Sequence, residues 1–475
     1  MKTKILLFAL LIFISAKTNA QWQPDVRLTN NPAGSAVAQG STGWCIAANG
    51  NDVHVVWHDN RDGNLEIYYK RSSDAGLTWG VDTRLTNNAD FSVHPSISLS
   101  GSTVRVAWVD LRDGNAEIYY KHSEDTGATW SLDMRLSNNV ASSYYGVLSS
   151  VDSVVHIVWW DDRHGNVEVY YKRSADGGVT WGSEIRLTNN IGDSYNPSVT
   201  SSGSDVHIFW YDDRDGNNEI YYKRSTDGGL NWGLDTRLTN DADVSHYACG
   251  TVSGLNVHVV WAENRNGNTE IYYKRSTDGG ANWGVDTRLT NNAFSQEHPN
   301  VNVSDSSVHV VWLDARDGTF SEVYYNHSSD GGTTWGADTR LTNDASKTWF
   351  PSVAVADMVV HVVFQDERDG PSGEIYYKRD PTGNFVGINE LSSSENSFLI
   401  FPNPATNKFT IQLKTALKNT QIEIYNVLGE KVYTSIALNN QAEMGVAVTL
   451  DVPAGIYFVT VSDGQKLFTQ KLIVQ

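Results

Sequence analysis

The sequence predicts an all-β protein, a seven-bladed β-propeller with four strands per blade followed by a small C-terminal β-sandwich. Three observations carry this reading. An apolar phrase ending in an aromatic residue recurs at Trp57, Trp108, Trp159, Trp210, Trp261, Trp312 and Phe364, a spacing of 51 residues five times and then 52. Each unit holds four strand-like runs. In the second copy these are "SISLS", "VRVAWV", "EIYYK" and "DMRLS", separated by the turn phrases "SGS", "RDGN" and "EDTGAT". The composition, with 39 Gly, 16 Trp and 22 Tyr, suits many short strands joined by tight turns. Four strands at a period of about 50 residues is the pattern of one propeller blade per repeat.

Taken in order, residues 1–20 read as a secretory signal: Lys2 and Lys4, an apolar run from Ile5 to Ala16, and a cleavage site after Ala20. The run is shorter than the roughly 20 residues of a spanning helix, and no later stretch approaches that length, so the mature chain is expected to have no membrane span. Residues 21–385 hold the propeller. Its last repeat lacks an outer strand, because "RDPTGNF" after Lys378 leaves the pattern. The missing piece lies at the other end, where "WQPDVRLTNN" (Trp22–Asn31) matches "WGVDTRLTNN" (Trp79–Asn88) in register. The N-terminal strand therefore completes blade seven and closes the ring, which removes the free sheet edges. Residues 386–397 read as a linker. Residues 398–475 carry the alternating runs "FPNPATNKFTIQL", "IEIYNVLGEKVYT" and "GIYFVTVSDGQKLFTQKLIVQ", the strands of the sandwich.

A net charge of −19 argues against nucleic acid or an anionic membrane as a general partner, and the chain is expected to be a monomer. Cys45 and Cys249 fall on the inner strands of blades one and five, which are not neighbours, so two free thiols are expected. No cofactor and no metal is implied.

Several columns repeat in every blade. Ser72-x-Asp74-x-Gly76-x-x-Trp79 recurs with Asp125, Asp176, Asp227, Asp278 and Asp330 at the acidic position. Such an Asp caps backbone N–H groups, the Gly takes a positive φ, and the Trp packs between sheets, which is a structural role. Six copies at blade spacing resemble the Asp-box (BNR) repeat of the sialidase superfamily, over residues 22–380. The resemblance implies that this turn joins the third and fourth strands, on the face opposite the active site. The three C-terminal runs resemble the sorting domain of the type IX (Por) secretion system of Bacteroidetes. That implies handling by the secretion machinery and a protein that is secreted or held at the outer-membrane surface.

A second column is the hairpin trio Asp59, Arg61 and Glu66, with Arg61 expected beside Asp59 and diagonal to Glu66. Paired carboxylates could serve a glycosidase, and seven copies could make a seven-site lectin. A single catalytic centre needs an asymmetric set of groups, so a hairpin-locking ion network is the expected role. A third column holds His54, His156, His207, His258, His309 and His361, with Arg105 in blade two. Neighbouring blades lie about 10 Å apart and zinc–nitrogen bonds are about 2 Å, so inter-blade packing is expected rather than a shared metal. The sialidase resemblance also implies three converging arginines, a Tyr–Glu nucleophile pair and an Asp acid/base. Every propeller arginine except Arg105 belongs to a repeated column, and there is no Arg-Ile-Pro motif, so sialidase chemistry is not expected and no catalytic residue is assigned.

Function that is not sevenfold must lie in columns that vary. Outside the repeated columns stand Trp44, Trp160 and Trp349, and Tyr144, Tyr145, Tyr195, Tyr211 and Tyr247, with His94 and His298 in the same positions. They map to the start of the first strand and the end of the second, at the upper mouth opposite the Asp turns. An aromatic mouth with scattered polar groups suits stacking against sugars, and rings that merely plug the channel are the bland alternative. The leading expectation is non-catalytic binding of a glycan or polysaccharide by a secreted or surface-displayed protein. A glycoside hydrolase (exo-sialidase-like) or polysaccharide lyase is the first alternative, and a protein-binding adhesion platform the second.

Overall fold

The computed structural model describes residues 22–31, 34–37, 44–318 and 320–383, and in the tail 398–403, 405–413, 421–426, 431–435, 445–462 and 467–474. The signal segment and the linker expected from sequence lie outside the described residues. The chain divides into two compact units, residues 1–384 and 385–475.

The first unit is a propeller of seven antiparallel sheets. Blade two shows the pattern: strands Ser92–Ser100, Thr103–Asp110, Glu117–Ser123 and Met134–Arg135, paired in that order. The second strand is buried on both faces, because each blade packs between two others, so it reads as a continuous apolar run rather than as an alternation. The core is a set of layers between blades. Val56, Ile67 and Tyr69 of blade one, for example, pack against Ile97, Val106 and Trp108 of blade two. The outer strands are only two residues long, which limits the exposed sheet edge.

Blade seven is completed by the N-terminus. Val26 pairs with Tyr377 and Arg27 with Tyr376, and the Leu28 N–H donates to Ile375 O at 2.8 Å. Asp25 ties the closure electrostatically, accepting from Arg368 at 2.7 Å and Lys378 at 2.6 Å.

The repeated turn between the third and fourth strands is held by its own side chains. Ser72 Oγ donates to Asp74 Oδ1 at 2.7 Å, and Asp74 Oδ1 accepts from the Thr78 N–H at 2.8 Å. Gly76 has a φ of +81°, and a Cβ there would lie 1.8 Å from Tyr377 Oη of the preceding blade. Trp79 meets the same Tyr377 edge-on at 4.9 Å. This turn therefore clamps one blade to the next. In the His column, His54 Nδ1 lies 2.6 Å from Tyr69 Oη, which donates onward to Thr126 O of blade two at 3.3 Å. Arg105 replaces that histidine in blade two. It is 2% exposed and donates to Gly177 O, Ser150 Oγ and Asp152 O.

The hairpin network is wider than a trio. Arg61 binds Asp59 and reaches out to Asp82 at 2.6 Å, while Glu66 is engaged by Arg84 at 2.8 Å and not by Arg61. Asp59 also accepts from Ser35 and Asn31, and Glu66 from Thr86 and the Asn88 N–H. Burial works against the charge of Asp59, but hydrogen bonds from Arg61 and Ser35 outweigh it and hold the acid below its usual range. Each carboxylate is fully buried and fully engaged, an arrangement that locks hairpins together.

Blade one departs from the others. Its first strand comes in two pieces, Ser35–Ala36 and Ile46–Asn49, both paired with the second strand. Ser35 to Cys45 spans ten positions where Ser92 to Ser96 spans four. Counting back from Trp57 puts Thr42 and Gly43 at the mouth, whereas Ala36, facing His58, occupies that place. Both cysteines are free and buried, and burial pushes the Cys249 thiol up to about 12.

The second unit holds a three-stranded sheet (Phe398–Phe401, Lys408–Leu413, Gly445–Thr449) and a four-stranded sheet (Lys431–Thr434, Gln421–Asn426, Gly455–Ser462, Leu467–Val474). Phe398, Ile411, Val448, Ile422, Ile424 and Val459 form the core shared by the two sheets.

Candidate functional site: the upper mouth

The varying columns are cross-strand partners. Tyr144 pairs with Trp160, Tyr195 with Tyr211, His246 with Ala262, Glu297 with Leu313 and Trp349 with Gln365. One residue further along each first strand, the register breaks in a two-for-one bulge. The first residue of that bulge is His94, Tyr145, Asn196, Tyr247, His298 or Phe350, all with φ between 45° and 56°. A left-handed backbone at a bulky residue is unfavourable, and its recurrence at six blades marks a place where the fold re-aims side chains.

The re-aimed rings meet their neighbours around the mouth. One arc runs His58, His94, Tyr145, Trp160, Tyr195, Tyr211, with successive ring centroids 6.0, 4.7, 6.1, 5.6 and 5.6 Å apart. Tyr144 joins it through Trp160 at 4.8 Å. A second arc runs His246, Tyr247, His298, Phe350, Trp349 at 4.6, 4.5, 4.8 and 6.0 Å. Nine of the ten mouth residues expected from sequence lie in these arcs. The tenth, Trp44, does not. It lies down the channel, donating to Val301 O at 3.3 Å and packing against blades three to six, because the irregular first strand of blade one redirects it. Below the mouth the channel holds a cavity of about 190 Å³ lined by the inner strands.

Between the ends of the arcs, at blades seven, one and two, opens a pocket of about 320 Å³ lined by His58, His94, Gln365, Asn60 and Ser35 among others. His58 Nδ1, His94 Nδ1 and Gln365 Oε1 are buried there without a hydrogen-bond partner. Burial, reinforced by His94, lowers His58 to about 3 despite Asp59, and burial lowers His94 to about 4. Both imidazoles are therefore neutral at neutral pH. Burial raises Tyr145, with Tyr247 and Tyr144 adding to it, so its phenol stays protonated. The pocket can thus offer neutral imidazoles and an amide, with the phenol of Tyr145 next in the array, its ring centroid 4.7 Å from that of His94. The other arc holds a related set, with His246 and His298 each lowered to about 4 by burial, but Glu297 stands beside Tyr247 there.

Sequence reasoning did not select His58, Gln365, His246 or Phe350. All four stand in the varying columns, and the count of tryptophans and tyrosines passed over them. Among the described residues, no group of three or more His, Cys, Asp or Glu side chains is arranged to hold a metal ion.

The fold and mouth define a β-propeller with an aromatic opening, on a chain that also carries an export tail. Residues 399–475 match the secretion system C-terminal sorting domain, which directs the protein through type IX secretion to the cell surface or the extracellular space. An endo-acting ulvan lyase of Formosa agariphila is 23% identical over 502 residues, an alignment covering 90% of each chain. Among solved structures, a PL25 ulvan lyase bound to -[GlcA(1-4)Rha3S]- superposes with a TM-score of 0.53 at 10% identity, covering 73% of this chain and 94% of that one. The polysaccharide lyase Uly1 superposes with a TM-score of 0.50 at 10% identity, covering 75% and 98%. These structural likenesses are of fold.

Proposed function

We propose that the propeller is a polysaccharide lyase that cleaves an acidic, uronate-containing polysaccharide at the pocket between blades seven, one and two. The observation that carries this is the His58–His94–Tyr145 array, whose two imidazoles line an open pocket and each keep a buried ring nitrogen without a hydrogen-bond partner. The relationship to an endo-acting ulvan lyase supports it, and moves the lyase alternative ahead of non-catalytic binding. The aromatic arcs serve either reading as stacking surface for sugar rings.

In this reading His94 takes the proton from C5 of the uronate. The freed electron pair forms the C4–C5 double bond and expels O4, which takes the phenolic proton of Tyr145. The Gln365 amide and His58 face the carboxylate, where charge develops. Local charge favours the His58 end of this arc for a polyanion, since Tyr195, toward its other end, sits near Asp193, Asp213 and Asp162.

The test is incubation of the full chain with ulvan, following the ultraviolet absorbance of the unsaturated uronate. His94→Ala and Tyr145→Phe are each expected to lower kcat by roughly 100-fold or more while the fold is kept. If no unsaturated product forms from ulvan or any other uronate polymer, while sugar binding persists, the lyase reading fails and non-catalytic binding replaces it.

A further inference from the structure

Lysines, like arginines, fall almost entirely into repeated columns of the propeller. Lys70, Lys121, Lys172, Lys223 and Lys274 each donate to a leucine carbonyl of the preceding blade, and Lys378 binds Asp25. Lys347 is the exception. It is exposed, just before the first strand of blade seven, with its ammonium 5.7 Å from the Trp349 ring centroid and 5.9 Å from that of Phe320. Among the described residues it makes no salt bridge. Trp349 is itself held in place, donating from Nε1 to Glu367 Oε1 at 3.1 Å. Its cross-strand partner is Gln365, which lines the His58–His94 pocket. Aromatic surface and a free cation therefore stand one strand pairing away from the reacting groups.

We infer that Lys347, Trp349 and Phe320 form an anion-reading sugar subsite beside that pocket. The two rings supply the floor on which a pyranose rests, and the ammonium pairs with that sugar's carboxylate or sulfate. The inference deepens the lyase reading and rests on it for the identity of the polymer. It makes Lys347 a specificity residue that acts in binding and not in the chemical step.

The test measures equilibrium binding of ulvan oligosaccharides to the full chain and to Lys347→Ala, Lys347→Arg and Lys347→Glu, with turnover followed in parallel. Desulfated and carboxyl-reduced oligosaccharides distinguish the two anionic groups. Lys347→Ala is expected to weaken binding roughly two- to fivefold, raising KM with kcat unchanged. Lys347→Arg restores binding and Lys347→Glu weakens it further. The effect disappears on the oligosaccharide that lacks the group being read. Equal binding by wild type, Lys347→Ala and Lys347→Glu overturns the subsite, as does an equal loss on oligosaccharides lacking both anionic groups. Lys347-dependent binding without turnover keeps the subsite and removes the lyase reading, whereas turnover with Lys347-independent binding does the reverse.

Discussion

Tyr69 shows how one residue serves the frame. Its hydroxyl takes the His54 Nδ1 contact and donates to the turn of blade two, and its ring meets Trp130 edge-on at 5.0 Å. Tyr69→Phe keeps the ring and removes the relay, leaving His54 Nδ1 and the Thr126 carbonyl without this partner. A loss of about 1–3 kcal/mol is expected, read as a lower denaturant midpoint. An unchanged midpoint would mean that the column acts by shape alone. At the mouth the same polypeptide spends its side chains differently. His58, His94 and Gln365 carry buried polar atoms with no partner, whereas Asp59 and Glu66 beside them in the frame each accept several hydrogen bonds. Unpaired polar groups are costly to folding, and the frame carries some too, such as Nε2 of His156 and His207; what separates this place is that the side chains carrying them line an open pocket.

At the scale of elements, the N-terminal strand is the closure of the ring. It covers the edge of Glu374–Asp380 and brings Arg27 and Thr29 to Glu374, which is 4% exposed. Removing residues 22–31 leaves that buried acid without its donors and exposes a sheet edge. The truncated chain is expected to lose its cooperative thermal transition and to aggregate, whereas Asp25→Ala lowers the transition while keeping it cooperative. Light scattering during a melt separates the two. The two-for-one bulges are the elements that set the site. A strand of strict alternation cannot send two successive residues toward the mouth, and a bulge with a left-handed first residue can.

At the scale of the whole molecule, buried histidines dominate the response to mild acid. His54 and His258 are lowered to about 4, and His156, His207, His309 and His361 to about 3, in each case chiefly by burial. Their folded pKa values lie below the unfolded value of about 6.5, so the unfolded chain binds more protons below that pH. Stability is therefore fully present above about pH 6.5 and falls as pH drops toward the folded values. The buried Asp59, Asp110, Asp161 and Asp212 are themselves lowered, so their contribution is lost only below the ordinary carboxylate range. A melting temperature that declines between about pH 6.5 and 4 is the expected profile, and a flat one would contradict neutral burial of the histidine column.

Much of this was legible in the chain because repetition exposes what is structural. A period of 51 residues determined the number of blades, the match of Trp22–Asn31 to Trp79–Asn88 determined how the ring closes, and the runs after residue 398 determined the export tail. Columns that broke the repeat pointed to the mouth. The tertiary structure decided what those columns do together. Ring contacts such as His94 with Tyr145 join different blades, and no local pattern encodes a contact between strands 51 residues apart. Trp44 was misplaced for the same reason, since an insertion in one strand shifts its register without altering the period on either side. Burial, which makes His58 and His94 neutral and leaves their nitrogens unpaired, is a property of packed surfaces and exists only once the blades have closed.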